Sequence, residues 1–265
     1  MGPVTKRAAR AWRGLALVLS AAVLSSPARA QTAKETNQQT QFWTSVNTTS
    51  RLSDRWGAVL DVHMRRNNFI KDPSFYLLRF GAHYWLGKDL AVTLGYARNR
   101  VAPAQPDWGT WTHENRIYQQ VQYSNLLGRI RILHRVRNEQ RWQEKVENDV
   151  LTGRSRFSDR LRYLASANIP LSEKESMPSL VVSDEVLLQF GSEIVLNTFD
   201  QNRLFVGIKQ KLPKDWSFDL GYMLVYQQKA TGYQYDLNHT LRWFFYFNPD
   251  FTRRKGRHDP AGGQD

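Results

Sequence analysis

Between Arg129 and Trp142 the chain changes character at almost every residue. Arg129, Arg131, Arg135, Arg137, Glu139 and Arg141 fall on one parity, Ile130, Ile132, Val136 and Trp142 on the other, and only Leu133 and His134 break the pattern strongly. A helix would spread those arginines around its circumference, whereas a strand sends alternate side chains to opposite faces. The preceding segment has the same form: Glu114, Arg116, Tyr118, Gln120 and Gln122 alternate with Ile117, Val121 and Tyr123. A chain built this way must make a sheet with one charged and one apolar face.

The same character recurs in eleven segments, at about residues 39–51, 54–66, 74–86, 89–101, 111–126, 128–142, 155–169, 179–190, 199–212, 215–228 and 233–247. Short turns such as Ser53-Asp54, Gly87-Lys88-Asp89, Leu127-Gly128 and Pro213-Lys214-Asp215 take turns with longer polar connections near 67–73, 102–110, 143–154, 191–198 and 229–232. That rhythm is the one of an outer-membrane barrel, whose periplasmic turns are short and extracellular loops long. The expected fold is therefore all-β, a single antiparallel up-and-down transmembrane barrel over residues 40–248. Bacterial single-chain barrels have even strand numbers as a rule, so the expectation is twelve strands, with ten as the alternative. The weakest segments are the first and 179–190. The last strand is expected to run towards the periplasm and end in Phe244-Phe245-Tyr246-Phe247, an aromatic girdle, and Trp43, Trp56, Trp85, Trp111, Trp142, Trp216 and Trp243 are placed at strand ends for the same reason. The competing architecture is a water-soluble β-barrel or sandwich with a dry core, a periplasmic binding protein.

The first thirty residues have the order of an export signal. Lys6, Arg7, Arg10 and Arg13 precede the apolar run Gly14–Leu24, and Ala28-Arg29-Ala30 is a small-x-small cleavage site. The run is far short of the roughly twenty apolar residues of a spanning helix. Cleavage after Ala30 would leave a tail over 31–39, the barrel, and a basic tail over 249–265, expected to be disordered, in which Arg253-Arg254-Lys255-Gly256-Arg257-His258 is solvated. It would also lower the formal charge from +13 to +8, since residues 1–30 hold five basic residues and no acidic one. The remaining basic residues are spread through aromatic, alternating segments rather than gathered on a stripe, which with export argues against a nucleic-acid partner. There is no cysteine, so disulfides, thiolate metal sites and cysteine nucleophiles are excluded. Outer-membrane lipids are the expected surroundings. Averaged hydropathy does not test this, because only every second residue of a spanning strand faces lipid.

A set of short stretches resembles a known bacterial family, domain of unknown function 2490, whose members are regarded as outer-membrane barrels of Gram-negative cells. They are Gln41-Phe42-Trp43, Leu52-Ser53-Asp54-Arg55-Trp56, Glu114-Asn115-Arg116-Ile117-Tyr118-Gln119-Gln120, His134-Arg135-Val136-Arg137-Asn138-Glu139-Gln140-Arg141, Arg160-Leu161-Arg162-Tyr163, Asp184-Glu185, Phe199-Asp200-Gln201-Asn202-Arg203, Leu220-Gly221-Tyr222 and Asn238-His239. The resemblance covers most of the chain after residue 30. It implies a fold and an address and no activity.

Folded inward, Glu114, Arg116, Gln120, Arg129, Arg131, Arg135, Arg137, Glu139, Arg141, Arg160, Arg162 and Arg203 would make a charged network inside a narrow lumen. Two readings stay open. Either arginines and carboxylates pair across strands and plug the barrel, or their excess positive charge makes a narrow pore preferring small anionic solutes. No catalytic activity is expected; the weaker enzyme reading is an acyl hydrolase acting on lipids, with His113, Glu114, Ser124, His134, Asn238 and His239 as scattered candidates that form no nucleophile pattern. His63, His83, His113, His134, His239 and His258 lack close ligand spacing, so neither a metal nor another cofactor is expected.

Overall fold

The computed structural model describes residues 33–174 and 176–252. The export signal expected over 1–30 and the basic run 253–258 lie outside the described residues. Eleven strands follow one another: β1 (Glu35–Arg51), β2 (Trp56–Asn67), β3 (Asp72–Trp85), β4 (Leu90–Val101), β5 (Thr112–Leu127), β6 (Ile130–Glu147), β7 (Val150–Pro170), β8 (Ser179–Phe190), β9 (Phe199–Lys211), β10 (Trp216–Gln228) and β11 (Gln234–Phe247). They close into one barrel in chain order. Each strand is antiparallel to its neighbour except at the seam, where β1 and β11 pair in parallel from Glu35↔Gln234 to Thr48↔Phe247.

The count of eleven corrects the expectation of twelve or ten. An even number follows when first and last strands point oppositely and can close an antiparallel sheet. With eleven they point the same way, and evenly spaced, slanted parallel bonds make the closure instead. The segment 179–190 is the full strand β8, and β1 starts at Glu35 rather than near residue 40, because its polar first residues still pair with β11. The seam also places the first residues of β1 and the last of β11 at opposite rims.

Two long connections are shorter than the sequence suggested. Residues 143–154 are a tall hairpin of β6 and β7 closed by Asn148 and Asp149, both with positive φ (50° and 61°). Such paired left-handed residues close two-residue hairpins whose twist matches that of the strands. Asn68 and Phe69 (46° and 64°) are also left-handed, within the four-residue turn 68–71 between β2 and β3, as are Lys214 and Asp215 (59° and 65°) in the turn between β9 and β10.

The alternation resolves into an inside and an outside. Leu60, Val62, Leu78, Leu94, Val121 and Leu204 stand outward and exposed, while Asp61, Glu114, Arg137, Glu139, Arg160 and Glu185 are buried inside. Two aromatic placements need correction. Trp43 is buried within the barrel, and of the four residues 244–247, Phe244 and Tyr246 line the lumen, since a strand can give only alternate side chains to an outer girdle. Gly95 faces Gly81 across β3 and β4. A Cβ on Gly95 would overlap both the Phe80 carbonyl and the Tyr118 ring, so the glycine lets an aromatic ring lie flat against the inner wall.

Candidate functional site: an arginine-lined lumen

The densest region of the lumen is built by β5 to β9, whose inward residues all lie on one parity of consecutive antiparallel strands. Glu139 on β6 is its centre, 2% exposed. Arg160 on β7 donates to Glu139 Oε2 from Nη2 at 2.5 Å and from Nε at 2.9 Å, and Arg162 Nη1 reaches Oε1 at 2.8 Å. Arg116 and Arg137 approach the same carboxylate at 3.5 and 3.7 Å. Glu185 on β8 gathers a second set of arginines two strands further on. It takes Arg162 Nη2 on both oxygens at 2.7 and 2.9 Å, Arg135 at 2.7 Å and Arg203 at 3.2 Å. Charge-assisted forks of this kind hold both partners in one plane.

Asp200 completes the lattice through a bulge. The register between β8 and β9 slips where Leu187 pairs with Gln201 and Leu188 with Phe199, so one extra residue is inserted on β9. Asp200 and Gln201 are consequently both buried, and Asp200 accepts Arg160 Nη1 at 3.0 Å. Arg116 pairs with Glu114, which also accepts from Asn99 Nδ2 at 3.0 Å. Arg137 donates to Gln120 Oε1 at 2.5 and 2.9 Å, and Arg141 donates to Gln189 at 2.8 Å and to the Ser158 hydroxyl at 3.0 Å.

A cavity of about 890 Å³ runs beside this lattice, with lining residues from Lys229 and Gln41 at one rim to Arg131 and Ser124 at the other. Fourteen Arg and Lys side chains line it against six Asp and Glu. From β1 and β8 to β11 the interior also holds a buried apolar cluster, in which Trp43, Val181, Phe205, Met223 and Val225 pack together with Phe244 against them. Outside the main lattice, two more buried carboxylates hold an arginine. Asp61 pairs with Arg79, and Asp219 accepts from Arg242 at 2.8 Å and from the Tyr246 hydroxyl at 2.7 Å.

Of the residues singled out from sequence, Glu114, Arg116, Gln120, Arg135, Arg137, Glu139, Arg141, Arg160, Arg162 and Arg203 come together here. Arg131 lines the cavity at the short-turn rim and is exposed. Arg129 does not belong to the lattice: it lies in the turn before β6, exposed, 3.6 Å from Glu173 and bonded to the Ser172 carbonyl. Sequence reasoning passed over Asp61, Arg65, Arg79, Glu185 and Asp200. Asp61 and Arg65 were visible in the alternation of Leu60, Val62 and Met64 with Asp61, His63 and Arg65, but the bulge that turns Asp200 inward has no signature in the residues.

The histidines are dispersed. His134 contacts the Tyr163 hydroxyl at 2.8 Å and His239 the Tyr222 hydroxyl at 2.6 Å, both on the outer face, while His113 meets Glu144 at 3.2 Å near a rim. His83 is buried inside against the Thr93 hydroxyl at 2.9 Å. Among the described residues, no group of three His, Asp or Glu is placed to hold a metal ion.

The family model described as protein of unknown function, DUF2490, matches residues 40–236. The chain belongs to the DUF2490 family. No curated protein and no solved structure matches it. The DUF2490 match runs from inside β1 to the third residue of β11, so it takes in every strand that contributes to the arginine lattice.

Proposed function

We propose that this DUF2490 chain is an integral outer-membrane β-barrel whose lumen is a narrow, wet compartment preferring small anionic solutes. The observation that carries this reading is the composition of the cavity lining, fourteen basic side chains against six acidic ones around about 890 Å³. Charge of one sign between low-dielectric walls raises the local concentration of counter-ions. The outward apolar side chains, Leu94 at 60% exposure among them, support the membrane setting, since a soluble protein rarely exposes so continuous an apolar surface. No helix among the described residues is long and apolar enough to cross a membrane, and the strands supply the alternative.

The role is proposed as non-enzymatic. Ser124 and His113 sit near opposite ends of β5, about 36 Å apart at the usual rise per residue, and His134 and His239 face outward. A second reading draws on the lattice itself: Glu139 and Glu185 tie arginines from β5, β6, β7 and β9 across the interior and would close the lumen to all but water. Efflux from vesicles containing the refolded chain separates the two. Faster release of chloride than of potassium supports the anion-preferring lumen; a heat-modifiable, folded barrel that releases neither supports the plug.

A further inference from the structure

The apolar outer face of the barrel is interrupted on β5 and β6 by three amides. Gln119 on β5 and Asn138 on β6 are cross-strand partners, Gln140 lies two residues further along β6, and all three share the outward parity of Ile117, Val121 and Val136. On other strands that face carries Leu60, Val62, Leu78, Leu94, Leu204 and Leu241, all exposed. The depth of the amides matters. Trp142 and Phe157, outward and 5.3 Å apart between ring centroids, mark an aromatic level on the long-connection side of β6 and β7. Asn138 stands four residues from Trp142 towards the short-turn rim, about 13 Å along the strand, and Val136 and Val121 lie beyond it. In a membrane the amides would therefore stand within the apolar band and not at its edge.

Their own bonds do not satisfy them. Gln119 and Gln140 exchange hydrogen bonds at 3.1 and 3.2 Å, and Asn138 Nδ2 approaches Gln119 Oε1 at 3.5 Å. Each amide nitrogen carries two hydrogens and engages one partner, and among the described residues no donor reaches Asn138 Oδ1. Hydrocarbon supplies nothing for the remainder. The other polar contacts on the outer face, His134 with Tyr163, His239 with Tyr222 and Asp184 with Asn202, are single pairs across adjacent strands. We propose that the amide cluster is the centre of an intramembrane interface between two copies of this chain, related by a twofold axis along the membrane normal. Such an axis keeps every level at its own depth, so β6 faces β6 of the second copy and the Asn138 and Gln140 amides meet their own counterparts. An amide is both donor and acceptor, which makes this patch its own complement, whereas a patch of one charge would meet its like and be repelled. The interface rests on the proposed membrane setting and is independent of what the lumen conducts.

The chain has no cysteine, so one introduced thiol reports the contact. Val136→Cys, on β6 beside Asn138, should be joined into a dimer by a short bifunctional maleimide in vesicles where the refolded chain is dilute. Leu241→Cys, outward on β11, should stay monomeric under the same conditions. Adding Asn138→Leu and Gln140→Leu to Val136→Cys should lower the dimer yield by roughly tenfold or more with heat-modifiable migration kept, because leucine suits a lipid-facing position better than an amide. If the leucine variant does not fold, the two single thiols decide. Inserted barrels in which Val136→Cys stays monomeric, or in which both thiols cross-link equally, overturn the interface and leave the membrane reading standing. An unchanged dimer yield after the leucine substitutions overturns it too. A chain that folds but does not enter the vesicles overturns the membrane reading and the interface with it, since water then satisfies the amides.

Discussion

Glu139→Gln removes one negative charge from the centre of the lattice while leaving the side chain's volume almost unchanged. In the folded barrel that carboxylate takes Arg160 at 2.5 and 2.9 Å and Arg162 at 2.8 Å, with Arg116 and Arg137 at 3.5 and 3.7 Å. Removing one partner of a buried pair typically costs about 3–5 kcal/mol, because the opposite charge is left desolvated and uncompensated. Arg160 keeps Asp200 at 3.0 Å and Arg162 keeps Glu185 at 2.7 Å, so the lower end, about 3 kcal/mol, is expected. That is a loss of roughly 150-fold in the folded-to-unfolded ratio. Equilibrium unfolding in urea, read as the fraction retaining heat-modifiable migration, measures it. Adding Arg137→Gln to Glu139→Gln should restore some of the loss, since among the described residues Glu139 is the one carboxylate paired with Arg137. A Glu139→Gln barrel within about 0.5 kcal/mol of wild type would refute the reasoning and mean that water in the lumen already solvates these arginines.

Three other outcomes follow from single residues. Asp149, at the tip of the β6–β7 hairpin, accepts the backbone N–H groups of Gly109 at 2.9 Å and Thr110 at 2.8 Å, which hold its carboxyl below the usual range. A carboxyl lowered by folding supports the 102–111 loop above its unfolded value near pH 3.9 and loses that support as the pH falls through the lower folded value; the protection of the Gly109 and Thr110 amides relative to their intrinsic exchange should therefore fall only below about pH 4, and in Asp149→Asn, which tolerates the left-handed backbone, that protection should be low and unchanged across the window. Gly95→Ala should destabilise the barrel by about 1–3 kcal/mol, measured by the same unfolding assay, because the added methyl meets the Phe80 carbonyl and the Tyr118 ring. Arg135→Glu should lower the chloride-to-potassium permeability ratio, since Arg135 lines the cavity with 22% of its side chain exposed and pairs, among the described residues, with Glu185 alone; an unchanged ratio would place Arg135 off the ion path.

The period of two carried the architecture, because it follows directly from the pleat and survives any error in strand ends. It placed Arg116, Arg137, Arg160 and Arg203 on the inner parity and Val121 and Val136 on the outer one. The strand number does not follow from that period alone. The residues show eleven alternating segments, the even count of bacterial barrels argues for twelve or ten, and nothing in Glu35–Arg51 or Gln234–Phe247 reveals a parallel seam before the barrel is closed. Partner identity was equally hidden. The contact of Arg160 with Asp200 depends on a one-residue slip at Leu187 and Leu188, and Trp43 shares the lumen face with its cross-strand partner Arg65. Asn148-Asp149 reads as polar loop on composition, and only its left-handed backbone shows that β6 and β7 continue to meet it.

The central claim, an anion-preferring lumen in a membrane barrel, is tested most directly by the reversal potential of the refolded chain in a planar bilayer under a potassium chloride gradient. The lining of fourteen basic and six acidic side chains predicts discrete current steps and a reversal potential displaced towards the chloride equilibrium value. A displacement towards the potassium value, or a folded barrel that passes no current, would contradict it.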